Sequence, residues 1–323
     1  MKKILITGIS GQDGAFLTDY ILKNKIDVSI FGTTRNKKFF FNKLNYLNPN
    51  FETNKVSLTN LDMLNKKEVF EFIQFVNPDI VYNFTGPSSV YESIKNPDES
   101  IRQITSIFNN LTESLIETEN FCNFFQSSSS EMFGNTNESI LNENSNFKPN
   151  SPYATAKLIN HKSAMLLNKT YGWPIVSGIM FNHESEFRKD NYLFPKIINS
   201  ALKIYFKKDE VLEIGSLDYK RDWSYAKDII QAVNVITENP KSSDYVIGSG
   251  VSVSIRDIVE CTFDLLNLNY KNHIKINPKL LRNGDPVEVY CDTSKLTKDY
   301  NWKPKYNLNK MISKILDYKL KSL

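Results

Sequence analysis

Cysteine and histidine are scarce, with three of each in 323 residues. Cys122, Cys261 and Cys291 are odd in number and show no C-x-x-C spacing, which argues against a disulfide framework and a cysteine-based zinc site. His161, His183 and His273 lack metal-ligand spacing, so no metal is expected. No apolar run approaches the roughly 20 residues of a membrane span. The run at Met1–Gly8 is too short for a signal peptide, so the expectation is a cytoplasmic protein with no membrane partner. Net charge is only +4, and the lysines are interleaved with acids, which argues against a nucleic-acid partner. No internal repeat or linker is visible. The Asn-x-Ser/Thr triplets at Asn83, Asn110 and Asn168 are what a chain this rich in Asn carries by chance.

What is present is an alternation of short apolar runs and helical patterns. Strands are expected at Lys3–Thr7, Val28–Phe31, Lys55–Leu58, Asp79–Phe84, Phe121–Ser127 and Ile175–Phe181. Between them, Ala15–Leu22, Leu64–Phe75, Ile101–Leu115 and Tyr153–Lys169 read as helices. Such alternation implies an α/β fold, a parallel sheet covered on both faces, with ligands beyond the carboxyl ends of the strands. Past residue 183 the pattern loosens. Helices are expected at Leu193–Phe206, Ile255–Leu266 and Asn309–Leu320, and short strands near Val211–Ile214 and Tyr245–Ile247. The division expected is a sheet domain over 1–182, rejoined by segments near 215–250, and a smaller lobe over 183–323.

The first strand runs into Gly8-Ile9-Ser10-Gly11-Gln12-Asp13-Gly14. Glycines here permit a tight turn and close backbone approach to a pyrophosphate at a helix N-terminus. Strand two ends in Gly32-Thr33-Thr34-Arg35-Asn36-Lys37-Lys38, with positive charge and no carboxylate. An acid there suits the ribose of NAD and an Arg suits a 2′-phosphate, so NADP is favoured over NAD; the bland alternative is that Arg35 is a solvated loop charge. Tyr153 and Lys157 lie four apart, on one helix face. A lysine beside a phenol stabilises the phenolate, so the tyrosine pKa is expected to fall and the residue to act as a base. Alone, such a pair is usually an ordinary surface pair.

With Glu131 also in place, the chain resembles the extended short-chain dehydrogenase/reductase family, within it most closely the GDP-mannose 4,6-dehydratases. The likeness rests on Gly8–Leu17, Gln126–Gly134, Ser151–Lys157, Phe181–Ser185, Arg221–Asp228 and Val287–Pro304. It implies a Rossmann-type doubly wound parallel sheet with a smaller α/β C-terminal substrate lobe. It also implies a hydro-lyase that converts a nucleotide sugar, GDP-mannose first, to its 4-keto-6-deoxy form on NADP. A reductase or epimerase, or an idle dinucleotide-binding scaffold, is the alternative. The implied catalytic set is Ser129, Glu131, Tyr153 and Lys157, with Ser129 on the sugar 4-hydroxyl and Glu131 as the second acid/base, its carboxyl partly buried and its pKa raised. The cofactor would be held by Gly8, Gly11, Gln12, Asp13, Gly14, Thr34, Arg35, Leu58, Tyr153 and Lys157. The substrate would be held by Ser88, Asn182, Glu184, Lys196, Arg221, Arg282 and Glu288. A homodimer through the helices at Ile101–Leu115 and Tyr153–Lys169 is implied, with a tetramer as a further option.

Several segments depart from the family pattern. After Ser185 the usual Pro-Arg-Arg-Gly is Glu186-Phe187-Arg188-Lys189. The acid usual before the proline near residue 95 is Lys95. The usual Arg-Pro-Ala-Glu-Val is Arg282-Asn283-Gly284-Asp285-Pro286-Val287-Glu288-Val289, and, read without a gap, Asp285 takes the Arg position. The loop after Arg35 carries Phe39-Phe40-Phe41, read as a local core or a subunit contact, where relatives assemble tetramers.

Overall fold

Seven parallel strands organise the chain, whose residues 1–207, 211–281 and 285–321 are described by a computed structural model. Across the sheet the order is Asp244–Ile247, Ile175–Met180, Asn123–Ser129, Ile80–Asn83, Lys2–Thr7, Val28–Thr33 and Val56–Thr59. The central strands are apolar on both faces, as a sheet covered by helices on both sides requires; Ile4, Leu5, Ile6, Ile80, Val81, Phe124 and Phe125 are all fully buried. From Lys2–Thr7 the chain first builds outward to Val56–Thr59, then crosses back to Ile80–Asn83 and builds the other way. That reversal opens a crevice at the carboxyl ends of the two central strands, where ligands of such sheets bind.

Local signals explain the helices that flank this crevice. Pro152–Tyr171 starts at Ser151, whose hydroxyl accepts from the Ala154 amide at 3.1 Å, has Pro152 in its first turn, and stops at Gly172 in the left-handed region. Pro97–Glu117 buries Ile104, Ile107, Phe108, Leu111 and Leu115 as one stripe. The two helices pack side by side, joined by the Asn160 amide donating to the Ile104 carbonyl at 3.0 Å.

A second, mixed sheet forms the floor of the other lobe. Its order is Ser252–Ser254, Lys220–Tyr225, Glu288–Cys291 and Ile140–Leu141, and Asn182–Glu184 also pairs with Lys220–Tyr225. The register sets Asn182 opposite Trp223, Glu184 opposite Tyr225, and Glu288 opposite Lys220. The strand Asp244–Ile247 rejoins the large sheet beside Ile175–Met180.

The segment holding the three phenylalanines is a helix, Lys37–Leu47, and not a loop. Asn36 caps it, accepting from the Phe39 amide at 2.9 Å. Phe40 and Leu44 recur at helical spacing and are fully buried, and Phe41 stacks on Phe51. Only Phe39 is half exposed. A run of three aromatics hides its period, and the period is carried by Phe40, Leu44 and Leu47. No helix among the described residues is long and apolar enough to cross a membrane.

Candidate active site

The glycine turn forms the wall of the crevice on the side of the first strand. Gly8 adopts φ +67°, and a Cβ there would lie 3.1 Å from the Phe84 carbonyl and the Thr85 amide nitrogen. At Gly14 a Cβ would come within 2.5 Å of the Ile9 Cα, so the helix Gln12–Asn24 could not pack against the turn. That helix begins at Gly11 with no side-chain cap, which leaves its N-terminus to a ligand anion. Beside it the Thr85 hydroxyl is buried without a partner. Close backbone approach, an uncapped helix and an orphaned hydroxyl together fit a dinucleotide.

At the end of the second strand, Thr34 is buried and donates its hydroxyl to Ser10 Oγ at 2.8 Å, while Arg35 is exposed. Leu58 is half-buried on the neighbouring strand, opposite Gly32. A second cation meets the turn here: Lys43, nearly buried, donates to the Ser10 carbonyl at 2.8 Å and lies under Phe39 and Phe187. Burial pushes its ammonium down to about 8 against the pull of Asp13. Sequence reasoning missed Lys43 because it left the helix that carries it as a loop.

Gln12 and Asp13 also reach across to the second lobe. The Gln12 amide donates to the His183 carbonyl at 3.2 Å and accepts from Ser185 Oγ at 2.6 Å, and Asp13 Oδ1 meets His183 Nε2 at 3.1 Å. Burial disfavours both charges, yet each partner outweighs it: the Asp13 carboxyl is held below 3.8 and the His183 imidazole above 6.5. The sign follows for stability. The Asp13 contribution is present above its ordinary pKa and is lost as pH falls through the depressed folded value. The His183 contribution is complete below its ordinary pKa and is lost as pH rises through the raised folded value. His183→Gln is therefore expected to cost about 1 kcal/mol between roughly pH 4 and 6.5, and less above that window. Denaturant unfolding of both proteins across pH checks it; a cost that grows with pH contradicts the pairing.

On the far side of the crevice, Tyr153 and Lys157 sit on one face of Pro152–Tyr171, both nearly buried, with Ser129 and Glu131 at the end of Asn123–Ser129. Ser129 stands beside the Tyr153 phenol and favours its ionised form, and its Oγ accepts from the Glu131 amide at 3.2 Å. Lys157 donates to the Ser127 carbonyl at 2.8 Å and to the Ser127 hydroxyl at 3.3 Å. Its ammonium lies 5.8 Å from the Tyr153 ring centre. The expected drop in the Tyr153 pKa is overturned in the free protein. Burial comes first and pushes the phenol up; the Ser129 hydroxyl opposes it, Glu131 and Tyr192 add to it, and Arg188 opposes it. Lys157 is itself pushed down to about 8 by burial. A lysine held by a carbonyl at that distance does not offset the lost hydration of a nearly buried phenol.

What fixes Lys157 is a row of buried polar side chains along the strand ends. Thr7 donates to Asn83 Oδ1 (2.9 Å), Asn83 Nδ2 to Gln126 Oε1 (2.9 Å), and Gln126 Nε2 to the Ser127 carbonyl (3.1 Å). The visible signal was a polar residue closing each apolar strand, Ile80-Val81-Tyr82-Asn83 and Phe124-Phe125-Gln126. Ser93, also missed, is buried and its hydroxyl accepts from the Tyr153 amide at 3.2 Å, so the short helix Val90–Lys95 supports the start of Pro152–Tyr171.

The residues expected to hold substrate divide. Ser88 is exposed at the cleft, its hydroxyl 3.0 Å from the Tyr192 hydroxyl. Asn182, half-buried, and Arg221 lie on adjacent strands. Arg221 donates to the Lys220 carbonyl at 2.7 Å and faces the Asp285 carboxylate at 3.5 Å. Glu288 accepts from Ser252 Oγ at 2.5 Å and lies 3.6 Å from Lys220 Nζ. Glu184 is 2% exposed, and burial raises its carboxyl to about 7. Lys196 is exposed and donates to the Glu213 carbonyl at 2.7 Å. Arg282 lies outside the described residues. Among the described residues no cluster of His, Cys, Asp and Glu could hold a metal ion.

A family model described as GDP-mannose 4,6 dehydratase matches residues 5–315. The chain belongs to the GDP-mannose 4,6-dehydratase family. It is 31% identical to the GDP-mannose 4,6 dehydratase of Drosophila melanogaster, over 98% of this chain and 85% of that one. It is 29% identical to GDP-mannose 4,6 dehydratase 1 of Arabidopsis thaliana, over 98% and 89%. Among solved structures it is similar to a dTDP-glucose 4,6-dehydratase of Bacillus anthracis in complex with NAD (TM-score 0.84, 19% identity, 99% and 97% covered). It is also similar to RMD of Pseudomonas aeruginosa complexed with NADPH (TM-score 0.82, 19% identity, 100% and 99% covered). These likenesses share one fold and accommodate either phosphorylation state of the cofactor. The chain is accordingly a hydro-lyase of the nucleotide-sugar 4,6-dehydratase kind that works with a nicotinamide dinucleotide.

Proposed function

We propose that the chain converts GDP-mannose to its 4-keto-6-deoxy product on NADP, with Tyr153 and Glu131 as the two acid–base groups. The observation that carries this is the meeting of Tyr153, Ser129 and Glu131 at the carboxyl end of Asn123–Ser129: the Ser129 hydroxyl accepts from the Glu131 amide at 3.2 Å, and Ser129 and Glu131 both act on the ionisation of the Tyr153 phenol. Tyr153 takes the proton of the 4-hydroxyl as C4 is oxidised. The ketone acidifies the C5 hydrogen, Glu131 removes it, and the same group protonates the departing 6-hydroxyl, leaving a C5–C6 double bond; return of the stored hydride to C6 and a proton to C5 then gives the 4-keto-6-deoxy sugar and the oxidised cofactor. The oxidised nicotinamide supplies the hydride acceptor and, being cationic, charge that favours the phenolate. Gly8, Gly11 and Gly14 with Gln12 and Asp13 hold the pyrophosphate turn. Thr34, Arg35, Leu58 and Lys43 flank the adenosine side, where cations and no carboxylate favour NADP. Lys157 orients the nicotinamide ribose. Ser88, Asn182, Glu184, Lys196, Arg221, Arg282 and Glu288 grip the nucleotide sugar, with Asp285 holding Arg221 until a diphosphate displaces it.

The cofactor domain is read as 1–182 with segments near 215–250, and the substrate lobe as the rest to 323. The exposed apolar side chains Ile159 and Leu166 on Pro152–Tyr171 suit a homodimer across that helix and Pro97–Glu117. The three free cysteines suit the cytoplasm. Purified protein is offered GDP-, CDP-, UDP- and dTDP-hexoses with either NADP or NAD, and products are weighed by mass spectrometry. The expected outcome is loss of one water from GDP-mannose, at lower cofactor concentration with NADP. Water loss from another nucleotide sugar corrects the substrate, and net cofactor consumption without water loss points to a reductase.

A further inference from the structure

The hydrogen bonds that lead to Lys157 form one chain with a fixed sense. Thr7, Asn83 and Gln126 are paired neighbours in the register of three adjacent strands, and each is at most 2% exposed. The Ser127 carbonyl can only accept, so the Gln126 amide must turn its Nε2 toward it, at 3.1 Å. Gln126 Oε1 then faces Asn83, which must present Nδ2, at 2.9 Å. Asn83 Oδ1 is left to accept from the Thr7 hydroxyl, also at 2.9 Å. Neither amide can flip without setting like groups against each other.

A carbonyl oxygen has two lone pairs. The Ser127 carbonyl has two side-chain donors, Gln126 Nε2 and, at 2.8 Å, Lys157 Nζ. With Gln126 on one lone pair, Lys157 is confined to the other. Lys157 also donates to Ser127 Oγ at 3.3 Å, so among the described residues two of its three N–H bonds are used and one remains for a ligand. Three buried polar residues in an apolar sheet are costly to desolvate, and apolar residues of the same shape would join the strands as well. Thr7 adjoins Gly8, so the row crosses the crevice floor from the glycine turn to the helix that carries Tyr153 and Lys157.

We propose, on the reading given above, that Gln126 is a positioning residue: its amide restricts Lys157 to one lone pair of the Ser127 carbonyl and so aims the remaining N–H at the nicotinamide ribose. Asn83 and Thr7 keep the Gln126 amide the right way round. Gln126 is fully buried and acts through Lys157. Without the amide, the lone pair it engaged opens to Lys157, and the ammonium is no longer held toward the ribose.

Binding of NADP and of its fragment 2′,5′-ADP to the full-length protein is measured by calorimetry for wild type, Gln126→Met, Lys157→Met and the double variant. Should NAD bind more tightly than NADP, NAD and ADP take their place. Gln126→Met is expected to weaken NADP about tenfold, and to slow single-turnover formation of reduced nicotinamide at saturating cofactor about tenfold. The fragment lacks the nicotinamide ribose and should bind unchanged. In the Lys157→Met background the same substitution should add less than about twofold to either loss. If Gln126→Met does not fold, Asn83→Leu with Gln126→Met replaces it and should give the same losses: both amides go, and Thr7 keeps the Tyr82 carbonyl at 3.5 Å. Unchanged NADP affinity, an equal weakening of the fragment, or losses that add in the Lys157→Met background overturn the proposal. Failure of every sugar to lose water would instead defeat the functional reading, and the binding cycle still decides the role of Gln126.

Discussion

Glu131→Gln halts the reaction half-way. Oxidation at C4 requires only a base for the 4-hydroxyl and a hydride acceptor, which on the proposed reading are Tyr153 and the nicotinamide. Removal of the C5 proton and protonation of the 6-hydroxyl require a group that is first base and then acid, which an amide cannot be. Turnover should therefore fall by about 10³-fold, within the usual range for one acid–base group. Substrate and cofactor should still bind, because Gln keeps the shape of Glu and leaves the Glu131 amide free to donate to Ser129 Oγ. The distinctive result is a burst: reduced nicotinamide accumulates on the enzyme in a single turnover and is not consumed. An epimerase built on the same sheet would tolerate the change, since it has no water to remove. Wild-type-like turnover, or a loss of activity with no burst, would count against Glu131 as the second acid–base group.

Tyr153→Phe acts earlier and should silence both halves. The phenol is buried beside Ser129, and on the proposed reading the 4-hydroxyl would lose its base. The expected loss is about 10³-fold or more in turnover, with no reduced nicotinamide formed at any time. Because Phe fills the same space and only a hydroxyl is lost, the fold should lose about 1 kcal/mol at most. Activity of the unmodified enzyme should rise with pH, since burial holds the phenol protonated, and the residual activity of Tyr153→Phe should lose that dependence. A burst in Tyr153→Phe equal to that in Glu131→Gln would assign the proton transfer elsewhere.

The sheet and its main helices were legible because apolar runs closed by glycine and stripes at helical spacing are local signals. The strand at Lys2–Thr7, the turn at Gly8–Gly14 and the helix at Pro152–Tyr171 each carry theirs within a few residues. The lobe was less legible. Asn182–Glu184, Lys220–Tyr225 and Glu288–Cys291 are short, and polar at several positions, and they become a sheet only through pairing between distant segments. For the same reason the clamp of Gln12 and Asp13 on His183 and Ser185 could not be read: its two halves lie about 170 positions apart. The tyrosine shows the other kind of limit. Spacing brought Tyr153 and Lys157 to one face, as expected, but it could not show how deeply the phenol is enclosed, and enclosure sets the direction of its pKa.

On the proposed reading, one bound cofactor takes a hydride from C4 and returns it to C6 of the same sugar. Incubating the enzyme and NADP with GDP-mannose deuterated at C4 tests this most directly. The account predicts a product lighter than its substrate by one water, still carrying the deuterium, now at C6, with no reduced cofactor released. A product that has lost the deuterium to free cofactor, or that has kept all of its oxygen, would contradict it.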